Sequence, residues 1–287
     1  MTLPIRIIPL LHVKGPNLVK GVQLEGLRVL GPPDAYAKWY YENSADELIY
    51  NDVVASLYQR NNLADVLSRT TQEVFVPVAA GGGIRSVDDA RRLLNFGADK
   101  VLVNTAAIKT PKLITAISDV LGCQSTTLYV EAKRRDGWYE CLTDNARETT
   151  GVNVLDWIPQ AVSLGAGEVL LASVDKDGTG LGFELELIHS ISTLINVPLI
   201  AAGGCGKPEH AVAAVRAGAD AVAISSYLHY GAMKHVAVKE GYSEGNIEFL
   251  RGARGAPRFS GTIQDIKQAL ASAGYPVRST DQPAAIA

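Results

Sequence analysis

Val-Pro-Val-Ala-Ala-Gly-Gly-Gly at residues 76–83 is echoed by Val-Pro-Leu-Ile-Ala-Ala-Gly-Gly at residues 197–204, which lies 121 positions further along the chain. The tripeptide Gly-Ala-Asp recurs at the same spacing, at residues 97–99 and 218–220. Self-similarity at a fixed spacing is the sequence signature of a duplicated architecture. The chain is therefore predicted to consist of two related halves.

Both halves, at about residues 1–122 and 123–235, alternate short apolar runs with amphipathic segments. The apolar runs show no strict polar alternation, which is typical of strands buried on both faces. The predicted strands span residues 6–13, 47–52, 76–80, 100–104, 127–131, 168–174, 199–202 and 221–225. The predicted helices span residues 33–43, 64–73, 86–96, 111–121, 154–163, 184–194 and 208–217. Four β-α units in each half predict an α/β fold of the (βα)8 TIM barrel class. A doubly wound open sheet is the alternative, but it does not explain the repeat.

Length and composition allow one large core, since 47% of the 287 residues are hydrophobic. We expect a single barrel domain over residues 1–278, with an insertion at about 231–261, a last helix at about 262–273 and a flexible tail at 279–287. A net charge of −3 gives no basis for binding nucleic acid or an anionic membrane. No apolar run reaches the roughly 20 residues that span a bilayer. Three scattered cysteines fit a reducing cytoplasm, and we expect neither a metal nor a cofactor.

Glycine-rich turns follow a predicted strand in each half, and the next strand of each half ends in small polar residues. Glycines there let backbone N–H groups approach an anion at the start of a helix. Because the arrangement occurs twice, it predicts two phosphate sites on opposite sides of the barrel mouth and a bisphosphorylated substrate. The candidate phosphate-binding residues are Gly82, Gly83, Asn104, Thr105, Gly203, Gly204, Ser225 and Ser226.

Charged residues open four of the predicted strands and so lie at the N-terminal face of the barrel, away from the catalytic mouth. They are Arg6, Glu47, Lys100 and Glu168. Buried charges are tolerated only when they are fully paired. Two cations with two anions therefore predict a ring of ion pairs that closes the barrel floor.

Several motifs together resemble the cyclase subunit of imidazole glycerol phosphate synthase, over about residues 4–230. They are Arg6-Ile7-Ile8-Pro9, Asp46-Glu47-Leu48, Gly81-Gly82-Gly83-Ile84, Gly97-Ala98-Asp99-Lys100, Asn104-Thr105-Ala106-Ala107 and Asp175-Lys176-Asp177-Gly178-Thr179. The resemblance implies an ammonia-using synthase subunit of a glutamine amidotransferase. In such a protein a partner glutaminase docks on the floor as a heterodimer, and ammonia crosses the barrel to a bisphosphorylated ribonucleotide at the mouth.

The resemblance also implies roles for individual residues. The four charges of the floor become an ammonia gate, and Asp99 and Gln124 face the glutaminase. A loop at residues 15–21 matches a mobile loop over the active site and carries Lys20. The further implied positions are Asp52, Asp175 and Thr179 for substrate binding and Asp177 for catalysis.

Two departures from the family pattern bear on function. The family's two catalytic aspartates, at the ends of strands one and five, are replaced by His12 and Glu131. From ordinary pKa values, Glu131 is the expected base at pH 7, and His12 is the expected acid if that carboxylate raises its pKa. The second departure is the glycine-rich insertion, which is basic through Arg251, Arg254 and Arg258.

Two other functions stay open at this point. In one, the chain is a paralogue that uses channelled ammonia to form an amidine on a nucleotide sugar for surface polysaccharide. The two separated phosphate sites argue against it. In the other, the barrel is a non-catalytic activator of the glutaminase. A third possibility is the related isomerase of histidine synthesis. That enzyme uses no ammonia, so the complete charged gate in this chain argues against this identity.

Overall fold

The computed structural model describes residues 3–55, 63–236 and 259–279. Among these residues, no helix is both long and apolar enough to cross a membrane. The strands in the described ranges are β1 (Arg6–Lys14), β2 (Asn17–Val22), β3 (Glu25–Gly31), β4 (Leu48–Asp52), β5 (Val78–Gly81), β6 (Lys100–Val103), β7 (Thr126–Arg135), β8 (Trp138–Thr143), β9 (Glu148–Asn153), β10 (Glu168–Ser173), β11 (Leu199–Ala202) and β12 (Ala221–Ile224).

Eight of these strands form a closed parallel barrel. The barrel order is β1, β4, β5, β6, β7, β10, β11 and β12, and β12 pairs with β1 to close the sheet. The β7–β10 pairing joins the two halves, from Thr127 opposite Glu168 to Ala132 opposite Ser173. The predicted (βα)8 barrel is thus confirmed, and the doubly wound open sheet is wrong because its edge strands would have remained unpaired.

The helices lie outside the barrel and agree with the predicted spans to within a few residues. The longer ones span Pro33–Glu42, Leu63–Thr70, Val87–Asn95, Lys112–Leu121, Val154–Ser163, Leu185–Ser192, Pro208–Arg216 and Ile263–Ser272. Two short helices that the sequence did not predict, Thr105–Lys109 and Ser226–Ala232, follow β6 and β12 directly. They stand at the same place in each half, next to the predicted phosphate residues.

Two antiparallel hairpins extend the barrel at its mouth. β2 and β3 continue from β1, and β8 and β9 continue from β7. Lys20 was expected in a loop at residues 15–21, but it lies in β2, so that expectation is wrong. The physical reason is that Gly15, at φ +60°, completes a tight turn, after which Asn17 and Leu18 pair back onto the end of β1.

Side chains inside the barrel form an apolar plug below the mouth. It consists of Ile8, Leu10, Ile49, Ala79, Leu102, Tyr129, Leu170, Ala172, Ile200, Ala202, Ala221 and Ala223. Alternate residues of a strand point the same way. His12 therefore continues the inward face of Ile8 and Leu10, and Glu131 continues that of Tyr129. Both lie at the upper rim of the plug.

Parts of two sequence predictions lie outside the described residues. They are residues 237–258 of the insertion, with its three arginines, and residues 280–287 of the tail. Within the described residues, the last helix starts with a capping box, because Thr262 and Asp265 exchange side-chain and backbone hydrogen bonds.

Candidate active site

His12 ends the inward face of β1 and is only 1% exposed. Neither of its ring nitrogens has a hydrogen-bond partner among the residues that the structure describes. Burial, followed by the positive charge of Lys20, lowers the pKa of His12 to about 4, although Asp177 opposes the shift. The expected rise in this pKa through Glu131 is therefore wrong, and His12 is a neutral imidazole at pH 7.

Lys20 and Asp177 form a buried ion pair beside His12. The Lys20 Nζ lies 2.5 Å from Asp177 Oδ2, and the lysine side chain is 1% exposed. The turn between β2 and β3 is attached to the segment that carries Asp177, since the Gln23 backbone N–H donates to the Asp177 carbonyl at 2.8 Å. The first hairpin therefore places a cation over the end of β1 and shields it from water.

Glu131 faces the mouth from β7 and is 2% exposed. Its Oε2 accepts the backbone N–H of Ala146 at 2.8 Å. Burial raises the pKa of Glu131 to about 7, and the Ala146 hydrogen bond offsets only part of that rise. Near neutral pH this carboxyl group therefore holds a proton in a substantial fraction of molecules, which makes it a competent acid.

The tip of the second hairpin supplies the Ala146 N–H and also contacts the first hairpin. Asp144, Asn145 and Ala146 all have φ between +56° and +59°, which is unusual for three successive residues that are not glycine. The Asn145 side-chain amide donates to the Leu24 carbonyl at 3.1 Å. Leu24 also packs with Leu142 of β8. The two hairpins therefore meet above the mouth.

A pocket of about 150 Å³ opens on the first-half side of the mouth. The predicted residues Asp52, Gly82, Gly83, Asn104 and Thr105 line it together with Glu131. A side chain at position 82 would place Cβ 2.6 Å from the Asp52 carbonyl oxygen, so only glycine fits there. The structure thus brings the first predicted phosphate site and Glu131 into one pocket.

The equivalent pocket of the second half is nearly closed, with a volume of about 10 Å³. Gly203, Gly204, Ser225 and Ser226 line it beside Asp177. A Cβ at position 203 would lie 2.6 Å from the Ser173 carbonyl oxygen, which matches the contact of Gly82 across the repeat. The two predicted phosphate loops are therefore alike in backbone but differ in free volume.

Three predicted substrate-binding residues have hydrogen bonds within the protein. The Asp175 carboxylate accepts the Arg134 amide at 2.7 Å, and the Thr179 hydroxyl donates to the Lys176 carbonyl at 2.7 Å. The Ser225 hydroxyl donates to the Leu10 carbonyl at 2.7 Å. These bonds shape the loops of the mouth.

The four floor residues form a closed ring of alternating charges. The Arg6 guanidinium contacts Glu47 at 2.6 Å and Glu168 at 2.7 Å. The Lys100 ammonium contacts the same two carboxylates at 3.0 Å and 2.9 Å. Burial alone would raise the pKa of Glu168, but Arg6 and Lys100 outweigh burial and hold it below its usual value. The predicted ring of ion pairs is therefore present at the floor.

The two predicted interface residues are exposed at the same face. Asp99 also has a role within the barrel, because its carboxylate accepts the Val78 amide at 2.8 Å. Asp220 does the same for Leu199 at the repeat-related position, again at 2.8 Å. Gln124 lies in a short turn, Cys123–Ser125, that leads into β7.

Sequence reasoning missed several residues of the mouth. Tyr129, Arg85 and Lys109 line the first-half pocket, and Tyr129 helps to lower the pKa of Glu131 against the effect of burial. The two-residue strand period from Glu131 would have identified Tyr129. The hairpin residues Asn145 and Ala146 have no comparable signal, because they approach the site only through the fold.

Comparison with known proteins adds independent information. The family model described as histidine biosynthesis protein matches residues 6–234. An imidazole glycerol phosphate synthase subunit HisF of Legionella pneumophila is 54% identical over 206 residues, covering 71% of this chain and 97% of that protein. The HisF subunits of Thermobifida fusca (strain YX) and of a Nocardioides strain are each 41% identical, covering 97% of this chain and 100% of those proteins. The chain therefore belongs to the histidine biosynthesis protein family, among relatives that are HisF subunits of imidazole glycerol phosphate synthase.

Proposed function

We propose that this chain closes the imidazole ring of imidazole glycerol phosphate, using ammonia and a bisphosphorylated ribonucleotide and releasing an aminoimidazole by-product. It is a cyclase/lyase of the imidazole glycerol phosphate synthase type, as its relatives are named, and the amidine-forming and non-catalytic alternatives are not favoured. The observation that carries the proposal is the pair of His12 and Glu131. Both face the mouth from inside the barrel, and burial displaces their pKa values in opposite directions.

The displaced pKa values support an assignment of the proton transfers. Glu131, with a pKa of about 7, donates a proton, and His12, which is neutral above a pH of about 4, accepts one. This is the reverse of the assignment made from ordinary pKa values. Acid and base groups are recognised by environments that push their pKa values apart, which supports the assignment. After burial, the Lys20 cation lowers the His12 pKa further, while the Asp177 carboxylate that pairs with Lys20 opposes this shift.

The two glycine loops bind the substrate's phosphates at opposite sides of the mouth. The first-half pocket is open beside Glu131, and its exposed cation Lys109 adds charge for an anion. The second-half site has little free volume, so the Asp177–Thr179 region must shift for a phosphate to enter. A substrate anchored at both loops lies across the space between His12 and Glu131.

Ammonia reaches this space through the floor from a glutaminase partner docked around Asp99 and Gln124. The ring of Arg6, Glu47, Lys100 and Glu168 blocks the floor when its four ion pairs are made. Opening one pair creates a path while the other three remain. Size-exclusion chromatography with a class I glutaminase tests the docking: a one-to-one complex is expected, and its absence at micromolar concentrations would refute this part.

The catalytic assignment is tested with ammonium salt as the nitrogen source, so that no glutaminase is needed. Turnover of the bisphosphorylated ribonucleotide is compared in the parent protein, His12→Ala and Glu131→Ala. Each variant should lose turnover by roughly 10²-fold or more, the range of general acid–base catalysis. Glu140→Gln is a matched control, because it changes a buried carboxylate of the second hairpin that accepts backbone amides from Thr150 and Gly151 and belongs to neither predicted site. Unchanged turnover in both alanine variants would mean that the acid and base lie elsewhere.

A further inference from the structure

The carbonyl of Leu10 receives two side-chain hydrogen bonds just before β1 reaches His12. The pairing of β1 with β12 ends at Pro9 opposite Ile224, whereas Leu10 begins the pairing of β1 with β4, opposite Ile49, so this carbonyl lies beyond the register with β12 only. The Ser225 hydroxyl donates to it at 2.7 Å, and His229 Nε2 lies 3.0 Å from it. A buried carbonyl needs one hydrogen bond, which the Ser225 hydroxyl already supplies. The second bond, from His229, restrains the direction of the carbonyl further.

The hydrogen-bond partners of His229 determine which of its nitrogens carries the proton. A carbonyl oxygen can only accept, so Nε2 must carry the hydrogen, and Nδ1 is then an acceptor. Tyr40 Oη lies 2.6 Å from Nδ1 and therefore donates its hydroxyl hydrogen. Burial lowers the pKa of His229 to about 3, so the ring stays neutral. The Leu10 carbonyl thus fixes the tautomer of His229, and Tyr40 stabilises that tautomer by donating to its Nδ1.

The pair is rigidly enclosed. Tyr40 is 2% exposed and His229 is fully buried. Tyr36, one helical turn before Tyr40, packs edge-on against the His229 ring at a centroid distance of 6.1 Å. Two helices, Pro33–Glu42 and Ser226–Ala232, are thereby connected to the same point of β1. Leu10 and His12 share the inward face of that strand, so any rotation at Leu10 moves the His12 ring.

We propose that Tyr40 and His229 are positioning residues that aim His12 by fixing the Leu10 carbonyl. This inference rests on the proposed role of His12. The His12 ring has no hydrogen bond of its own to the described residues, so its direction depends on the strand that carries it. A displacement of about 1 Å at a reacting group costs roughly 10²-fold in rate, so a modest rotation at Leu10 is enough to matter.

The test compares variants that remove one bond at a time, with ammonium salt as the nitrogen source and the full chain throughout. Tyr40→Phe leaves the buried Nδ1 of His229 without its donor, which loosens the ring against the Leu10 carbonyl, and should lower kcat by about tenfold with KM for the ribonucleotide nearly unchanged. His229→Leu should lower kcat further, and His229→Gln, whose amide can still donate to Leu10, should recover part of the loss. Tyr36→Phe is the matched control. It removes a buried hydroxyl from the same helix, but one that donates to the Leu30 carbonyl instead.

Two measurements separate positioning from general loss of stability. A two-bond ¹H–¹⁵N spectrum of the histidine rings should show the Nε2–H form of His229 in all three proteins, with the Nδ1 resonance shifted only in Tyr40→Phe, where its hydrogen bond is lost. In the second, Tyr40→Phe is combined with His12→Ala. If the pair acts through His12, Tyr40→Phe should have no further effect on kcat in that background.

The outcomes distinguish this inference from the proposed function. If His12→Ala lowers kcat and Tyr40→Phe lowers it by the same factor with and without His12, the positioning role is wrong while the role of His12 stands. Equal losses in Tyr36→Phe and Tyr40→Phe would also overturn it. If His12→Ala has no effect, both the proposed role of His12 and this inference fail.

Discussion

Replacing Glu131 by glutamine should change how the stability of the barrel depends on pH. Burial raises the pKa of Glu131 from 4.5 to about 7 in the folded chain. A group whose folded pKa is raised gives its full contribution to stability below the unfolded pKa, and that contribution is lost as pH rises through the folded value. Folding therefore disfavours the carboxylate form of Glu131, and the folded state loses stability as pH rises from about 4.5 to about 7. The difference between those pKa values corresponds to about 3 kcal/mol.

The measurement is urea unfolding of the parent protein and Glu131→Gln at pH 5 and at pH 8. Glutamine keeps the size of the side chain and can still accept the Ala146 N–H, but it does not ionise. The parent therefore loses about 2 to 3 kcal/mol more than the variant as pH rises from about 5 to 8. The other titrating groups, including His12, contribute equally to both proteins and cancel in the difference.

Glu140→Gln is the matched control for this experiment. Burial alone would raise the pKa of Glu140, but hydrogen bonds from Gly151 and Arg135 outweigh it and lower the pKa. A group whose pKa is lowered by folding stabilises the fold above its unfolded pKa. That stability is lost only as pH falls through the folded pKa. The difference between Glu140→Gln and the parent should therefore stay nearly constant from pH 5 to 8. If Glu131→Gln behaves in the same way, Glu131 titrates normally and the acid assigned to it is wrong.

Three further predictions follow from the site. Lys20→Met should raise the pKa of His12, because the lysine charge is the second cause of its lowering after burial, and a histidine NMR titration measures this. Lys100→Ala removes one ion-pair partner of Glu47 at the floor and should lower the free energy of unfolding by about 3 kcal/mol or more. In the complex with the glutaminase, the same variant should raise the amount of glutamate formed per molecule of product. His12→Asp combined with Glu131→Asp restores the family's pair of aspartates, and a gain in ring closure would show that both positions carry the chemistry.

The sequence predicted the barrel and its floor because both depend on patterns that repeat along the chain. The glycine loops recur at one spacing, and Arg6 and Lys100 open barrel strands while Glu47 immediately precedes one. Charges at those positions must meet when a parallel sheet closes, so the ring of ion pairs followed from the strand positions alone. The hairpins were not predicted, since β2 begins after a glycine-proline turn that reads as a loop.

The proposed proton roles could not be predicted because they depend on burial, which sequence position does not reveal. His12 and Glu131 both lie at strand ends, where solvent access is the ordinary expectation. In the folded chain, Lys20 of the first hairpin lies beside His12, and Ala146 of the second hairpin contacts Glu131. Both pKa values are displaced mainly by burial, and this reverses the assignment that free side chains suggest.

Under the proposed assignment, the same burial explains how a histidine can serve at a position where the resemblance implies an aspartate. With two aspartates, one must have a raised pKa to hold a proton near neutral pH, and the other must stay ionised nearby. Under that assignment the acceptor is a neutral imidazole, and the negative charge beside it, on Asp177, is already paired with Lys20. The proton donor is then Glu131, whose longer side chain reaches the Ala146 amide on the hairpin tip. Because Asn145 and Leu24 join the tips of the two hairpins, a displacement of either hairpin would alter the surroundings of both His12 and Glu131.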